Sequence, residues 1–294
     1  MRRALVTGAN GFIGAHVVRA ALDAGAEVRA MVRTGSDCTS LQDLPIELVQ
    51  GDLTDSASLA RALVGIDTLL NVAARYDLSR RARRDAYRAN VGGTRELMLA
   101  ALEAQVDRVV HTSSVAAIGP PRDPSRPADE RQWADINQAP GPYEETKILS
   151  EQLVHDLIAA ESLPAVCVLP TTPIGPLDLK PTPTGRLIRD AAKGSMPAYI
   201  LTAGLNIVHV SDVAVGHVRA AVTGRIGERY ILGHMDGNLT LREIIGRSAA
   251  CGGSSPPRMA IPSTVAFAAA LVDEFLLSAL TRQQPRATIA GVRL

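Results

Sequence analysis

Residues 5–14 narrow the possible folds more than any other stretch. Leu5-Val6-Thr7-Gly8-Ala9-Asn10-Gly11-Phe12-Ile13-Gly14 reads as a strand end, a glycine turn and a helix start, with glycines spaced G-x-x-G-x-x-G. Gly8 permits the tight turn, Gly11 lets backbone approach a pyrophosphate, and Gly14 allows close packing of helix on strand. The helix N-terminus then turns unpaired N–H groups and a positive dipole end toward the phosphates. A merely structural glycine turn is the bland alternative. The strand before and the helix after are the context that a dinucleotide site requires.

That start is followed by strict alternation. Residues 4–6, 27–32, 46–50, 67–72, 108–112 and 165–169 read as strands, and 13–24, 56–64, 85–105 and 143–160 as helices. The strands are continuous apolar runs, which predicts an α/β fold: a Rossmann-type, doubly wound parallel sheet covered on both faces. After Pro170 the pattern breaks. Pro170, Pro173, Pro176, Pro181, Pro183 and Pro197 stand close together among glycines, which excludes a regular sheet layer. The expected division is a dinucleotide-binding domain over 1–170 and a smaller C-terminal substrate lobe over most of 171–294. Within that lobe, 207–222 is expected to return to the main sheet as strand 207–210 and helix 211–222. Residues 229–232 and helix 241–250 are expected in the lobe or at its edge. The polar, Pro-rich segment 120–142 reads as a surface loop near the site.

Composition excludes several classes. The 294 residues carry a formal net charge of +1 and no basic run, so no nucleic-acid footprint is expected. Arg80, Arg81, Arg83 and Arg84 read as a solvated helix start. The longest apolar stretch, 265–272, is too short to cross a bilayer, so no membrane span is expected. Cys38, Cys167 and Cys251 match no metal spacing, and Cys167 lies in an apolar run. Met1-Arg2-Arg3 leads directly into the first strand without an apolar leader. A reducing cytoplasm is the expected location.

The second strand ends at Val32-Arg33. A carboxylate there would hold the ribose 2′-hydroxyl of NAD, whereas Arg33 can pair with the 2′-phosphate of NADP. NADP is therefore the expected cofactor, with NAD the alternative and an exposed surface arginine the bland reading. Asp52, after the third strand, is placed to accept from the adenine amine, or simply to cap a turn.

Tyr143 and Lys147 stand four apart at a helix start and share one face. A phenol is a poor base at neutral pH, and a nearby ammonium favours its phenolate. Such a pair can exchange a proton with a substrate oxygen while hydride moves at the adjacent carbon. Lys147 can also hold ribose hydroxyls. An ordinary helix face is the competing reading. The fifth strand ends in Thr112-Ser113-Ser114, where a serine hydroxyl can donate to a developing alkoxide or merely cap the strand end. Ser114 is the candidate for this role and Ser113 for a supporting contact.

Taken together these motifs resemble the extended short-chain dehydrogenase/reductase superfamily. The resemblance runs through Thr7-Gly8-x-x-Gly11-x-x-Gly14, Gly51-Asp52-Leu53, Val72-Ala73-Ala74, Asn90-Val91-x-Gly93-Thr94, Tyr143-x-x-x-Lys147 and His209-Val210-x-Asp212-Val213. Val28–Val32 with Arg33 is similar to dihydroflavonol-4-reductase-like enzymes. Lys180-Pro181-Thr182-Pro183-Thr184-Gly185-Arg186 and Met196-Pro197-Ala198-Tyr199 are similar to hopanoid-associated sugar epimerases. The resemblance implies Ser114, Tyr143 and Lys147 as the catalytic set. Around the cofactor it implies Gly8, Gly11, Phe12, Ile13, Gly14, Arg33, Asp52, Leu53, Ala73 and Lys147, with Pro170 and Thr172 at the nicotinamide end. It gives Asn90 a structural role. It also implies a homodimer paired through helices 85–105 and 143–160.

Two departures bear on function. Nucleotide-sugar enzymes of the superfamily carry Asn before the proline of the sixth strand, and here that residue is Leu169. The sugar dehydratases place an acidic pair after the strand-five hydroxyl, and here Val115 and Ala116 follow Ser114. The leading expectation is an NADP(H)-dependent carbonyl reductase or alcohol dehydrogenase with a small-molecule substrate. A nucleotide-sugar epimerase with bound NAD is the alternative, with Arg186, Arg258 or Arg286 as its diphosphate anchor. A non-catalytic sensor is a third class, which would have no use for a Tyr-Lys pair. Tyr76, Asp77, Arg186 and Tyr199 are the substrate-pocket candidates, each equally readable as a surface residue.

Overall fold

The computed structural model describes residues 1–75, 83–123, 125–201, 203–262 and 264–265. The chain opens with β1 (Arg3–Thr7), α1 (Phe12–Asp23), β2 (Glu27–Val32), β3 (Ile46–Gln50), α2 (Ser56–Leu63) and β4 (Thr68–Asn71). A long helical passage follows, formed by α3 (Arg83–Ala86), a π-helical stretch Tyr87–Gly92 and α4 (Gly93–Glu103). Then come β5 (Arg108–Thr112), α5 (Pro142–Glu161), β6 (Ala165–Pro170), β7 (Thr172–Ile174), α6 (Pro183–Ala192), β8 (Ala198–Ile200) and β9 (Gly204–His209). The remaining elements are α7 (Val210–Thr223), β10 (Arg229–Leu232), β11 (Asn238–Thr240), α8 (Leu241–Cys251) and β12 (Met259–Ile261).

Seven strands form one parallel sheet in the order β10-β6-β5-β4-β1-β2-β3. This is a Rossmann-like doubly wound α/β fold. The winding reverses between β1 and β4, and the carboxyl ends of those strands frame the crevice where such sheets bind ligands. One face is covered by α1 and α7, with Val17 and Val18 in one apolar cluster with Ala214, Ala220 and Ala221. The other face carries α2, α4 and α5, where Leu59, Leu63, Leu97, Met98, Ile148 and Val154 enclose Leu5, Leu69 and Val109. Leu169 lies fully buried in this second cluster.

The strand that completes the sheet is not the expected one. Residues 207–210 were expected to return to the main sheet. Instead β9 pairs with β7 and β11 in a separate three-stranded sheet. The returning strand is β10, which runs parallel to β6 with Tyr230 opposite Val168. Both segments are short runs of strand-forming residues, Ile207-Val208-His209-Val210 and Arg229-Tyr230-Ile231-Leu232, and the pairing of β10 with β6 decides between them. Helix α7 nevertheless lies against α1 on the main sheet. The Pro-rich stretch also contains more regular structure than its composition suggests. Thr182 caps α6 by accepting from Gly185 N, and Pro183 occupies the first turn, where a missing N–H costs nothing. Helices α6 and α8 share a small core of Ala191, Leu241, Ile244 and Ile245. The lobe is tied to the Rossmann half where His16 Nε2 meets the Pro176 carbonyl at 3.0 Å.

Candidate active site

The glycine turn is shaped by contact distances that only hydrogen atoms satisfy. Gly8 has φ +61°, and a Cβ there would lie 2.8 Å from Ala73 Cα. A Cβ on Gly14 would lie 2.1 Å from the Gly8 carbonyl oxygen. Both exceed what side-chain adjustment can relieve, because the opposing atoms are backbone. Thr7 locks the turn to β4: its hydroxyl donates to Asn71 Oδ1 at 2.7 Å and accepts from Val72 N and Ala73 N, both at 3.1 Å. Gly11 begins α1 with no side-chain cap, so the first N–H groups of that helix are open to an anion. Phe12 and Ile13 are half-buried in that first turn, with Phe12 edge-on to His16. These residues fit a dinucleotide: the turn packs too closely for a Cβ at Gly8 or Gly14, and the uncapped start of α1 offers its N–H groups to a pyrophosphate.

Arg33 is exposed and lines a cavity of about 670 Å³ with Ser36, Asp52, Arg61 and, from the lobe, Lys180. The loop that forms it is fastened to the glycine turn, with Asn10 Nδ2 donating to Asp37 O at 2.9 Å and Ser40 Oγ to Asn10 O at 3.1 Å. Asp52 Oδ1 accepts from Thr54 N at 2.8 Å and Thr54 Oγ1 at 2.7 Å, which lowers its pKa. One of its carboxylate oxygens is therefore committed to the turn. Leu53 is buried in the core and packs against the start of α4, where a Cβ on Gly93 would lie 2.6 Å from Leu53 Cβ.

At the carboxyl end of β5, each polar side chain is held by a different element. His111 Nδ1 meets Asn71 Nδ2 of β4 at 3.1 Å. Thr112 donates to His217 Nε2 of α7 at 2.8 Å; the other ring nitrogen, 2.8 Å from Val213 O, carries the proton. Burial pushes the pKa of His217 down to about 4 and of His111 down to about 3, so both are neutral. Ser113 donates to Glu151 of α5. Ser114 is half-buried, and its Oγ accepts from Ala116 N at 3.2 Å.

Helix α5 brings the Tyr-Lys pair to this strand end. Lys147 is 4% exposed, and its Nζ donates to the Thr112 carbonyl at 2.8 Å and stands 6.0 Å from the centre of the Tyr143 ring. Burial lowers its pKa to about 8, opposed by the charge of Glu151. Asn90 clamps the approach from the other side: its Oδ1 accepts from Arg75 N at 2.7 Å, and its Nδ2 donates to Arg75 O and Thr146 Oγ1, both at 3.0 Å. The structural role expected of it matches these contacts.

The structure thus brings Ser114, Tyr143 and Lys147 to one strand end and Gly8 against Ala73. Pro170 is buried at the end of β6, and Thr172 begins β7, paired to Ile207. The lobe candidates are less convergent. Arg186 is exposed and donates to Pro181 O at 2.7 Å, and Tyr199 packs on the α6–α8 core. Tyr76, Asp77 and Arg286 lie outside the described residues, as do Arg80, Arg81 and all of the apolar stretch 265–272 except Val265. Among the described residues no helix is long and apolar enough to cross a membrane.

Sequence reasoning missed Glu151 and Arg229. Glu151 is signalled by its position four residues after Lys147 on the same helix face. Nothing local signals Arg229. The segment 120–142 is also held more firmly than a surface loop: Arg229 donates to the carbonyls of Glu130 and Gln132 at 2.9 and 2.7 Å and lies 3.9 Å over the Trp133 ring.

Residues 4–233 match the NAD dependent epimerase/dehydratase family. A putative dihydroflavonol 4-reductase of Synechocystis is 42% identical over 294 residues, covering 98% of this chain and 83% of the relative. Sterol demethylase protein B of Methylococcus capsulatus is 37% identical over 99% of this chain and 87% of its own. The crystal structure of gox2253 superposes with a TM-score of 0.86 at 44% identity, covering 100% of this chain and 87% of that one. The chain belongs to the NAD-dependent epimerase/dehydratase family and is an NAD(P)-dependent oxidoreductase of the extended short-chain dehydrogenase/reductase type.

Proposed function

We propose that this protein is an NADP(H)-dependent carbonyl reductase, or the matching alcohol dehydrogenase, working through Ser114, Tyr143 and Lys147. The observation that carries the reading is the buried Lys147 ammonium, tied to the Thr112 carbonyl and set beside the Tyr143 ring at the end of β5. When bound, the nicotinamide cofactor supplies or takes up the hydride. Tyr143 passes its proton to the carbonyl oxygen during reduction, and the adjacent positive charge stabilises the phenolate left behind. Because Ser114 Oγ already accepts from Ala116 N, its O–H proton is the one left to donate to the same oxygen. The remaining N–H groups of Lys147 are free of Thr112 and serve ribose hydroxyls.

Arg33 beside Arg61 and Lys180 supports the 2′-phosphate reading. Leu169 supports the reductase over the nucleotide-sugar epimerase, since its side chain is sealed in the core and offers no hydrogen bond. The relative bearing a reductase name supports it too. A homodimer through α4 and α5, in a cytoplasmic setting, completes the reading, and light scattering of the purified protein tests the dimer.

Thermal-shift titration with NADPH, NADH, UDP-sugars and TDP-sugars tests the assignment. Stabilisation by NADPH over NADH without a sugar-nucleotide response is expected, whereas copurified NAD with stabilisation by UDP would sink it. Tyr143→Phe should lower turnover by roughly 10²- to 10⁴-fold and leave NADPH affinity nearly unchanged. Full activity in that variant refutes the assignment of the proton donor.

A further inference from the structure

A buried ion pair stands behind the catalytic strand end and takes no part in the mechanism above. Glu151 is 0% exposed and Arg229 6%. Arg229 Nε meets Glu151 Oε1 at 2.5 Å, and the other carboxylate oxygen accepts the Ser113 hydroxyl. Arg229 spends its other donors on the carbonyls of Ala117, Glu130 and Gln132, the first at 3.1 Å. Its guanidinium plane lies on Trp133, which in turn packs edge-on against His155. The arginine thus joins the edge strand β10, helix α5, the turn after Ser114 and the segment around Glu130.

Hydrophobic packing alone does not require this. Burying two charges costs more than an apolar pair of the same volume unless geometry and added hydrogen bonds compensate. Here they are supplied in full, and all of them converge on one place. Glu151 lies on the same helix face as Lys147, one turn further along, and holds the residue next to Ser114. Glu151, His155 and Cys167 bring potential ligand atoms within 4.8 Å of one another. Both Glu151 oxygens are already engaged, so this cluster is organised around the arginine.

We propose that Glu151, held in place by Arg229, is a positioning residue for the Ser-Tyr-Lys chemistry: it fixes the end of β5 through Ser113 and sets a negative charge behind the Lys147 ammonium. The proposal rests on the reductase reading. The titratable and charged groups that face this charge are Lys147 and His155 of α5, Cys167 of β6 and Arg229 of β10, while His111 of β5 and His217 of α7 face Lys147. Burial keeps His111 and His217 neutral and pushes the Cys167 thiol up, also to its neutral form. Glu151 is the charged group among these that raises the affinity of Lys147 for its proton. Removing that negative charge makes the first proton leave the Tyr143–Lys147 pair at lower pH.

The test compares Glu151→Gln and Ser113→Ala with the unaltered protein, reading NADPH oxidation with a 3-ketosteroid and a 3-oxoalkanoate ester as carbonyl probes. Glu151→Gln should lower kcat roughly 10- to 100-fold with little change in KM for NADPH. It should also move the alkaline limb of the reduction profile down by about one pH unit. Ser113→Ala should lower kcat by a smaller factor and leave the limb in place, because it removes a hydrogen bond and no charge. Unchanged kcat and an unmoved limb in Glu151→Gln overturn the proposal. If that variant does not fold, Ser113→Ala decides, and wild-type kcat there overturns it. An active Tyr143→Phe variant instead overturns the underlying reading and not the positioning role.

Discussion

The end of β5 and the lobe beyond Pro170 are built on opposite plans. At β5, four consecutive side chains are held by β4, α7, α5 and a backbone amide of the following turn, and three of them are buried. In the lobe, β7, β8 and β9 are mostly half-buried, and among the described residues Arg186 and Asp178 hydrogen-bond within the segment 178–186. The first arrangement holds its side chains in one geometry, which is what the proposed proton-transfer site requires. The second can change its lining without disturbing that geometry. On the reading proposed above, chemistry is placed on the sheet, and selectivity is left to the part that tolerates change.

The sharpest way to break this contrast is Gly14→Ala. The added methyl meets the Gly8 carbonyl with no side chain to yield, so urea unfolding should show a loss of about 2–3 kcal/mol and NADPH binding should weaken. Wild-type stability would mean that the turn is not rigid.

Acid sensitivity probes the same strand end. His111 and His217 are neutral when folded, with pKa values near 3 and 4, and the unfolded chain binds their protons near pH 6.5. The unfolded state therefore holds more protons below pH 6.5, and stability falls as pH drops toward 4. Each histidine contributes a slope of roughly 1.4 kcal/mol per pH unit. Denaturation midpoints between pH 7 and pH 5 check this, and His217→Gln should flatten the slope by about one proton.

Arg33→Ala should weaken NADPH binding by about tenfold and leave NADH binding unchanged, read by fluorescence titration. Equal effects on both cofactors would remove Arg33 from the 2′-phosphate site. The smallest effect belongs to the lobe. Arg186→Ala should change stability by less than about 0.5 kcal/mol, so any rise in KM for a carbonyl substrate reports contact with that substrate.

These contrasts also explain what the sequence discloses. The glycine turn, the first six strands and the Tyr-Lys spacing are legible because each depends on neighbours a few residues away. Glu27–Val32, Ile46–Gln50 and Arg108–Thr112 have the bounds expected of them. The identity of the seventh strand was hidden because two similar apolar runs compete for one edge and the choice is made by pairing with β6. Helix α6 was masked by proline density, although Thr182 and Pro183 carry the start signal. The pairing of Glu151 with Arg229, 78 residues apart, leaves no local trace. A buried arginine looks like any other in a chain with 31 basic residues.

The late arrival of β10 has a consequence for how the protein is made. Six strands leave the ribosome well before residue 229 does. Until then Glu151 must either stay wet or sit in a dry interior with no guanidinium opposite it. The nascent Rossmann half is therefore unfinished, and only the far edge of the chain completes it. A circular permutant that synthesises β10 ahead of α5 would reverse that order and should fold with less aggregation during translation.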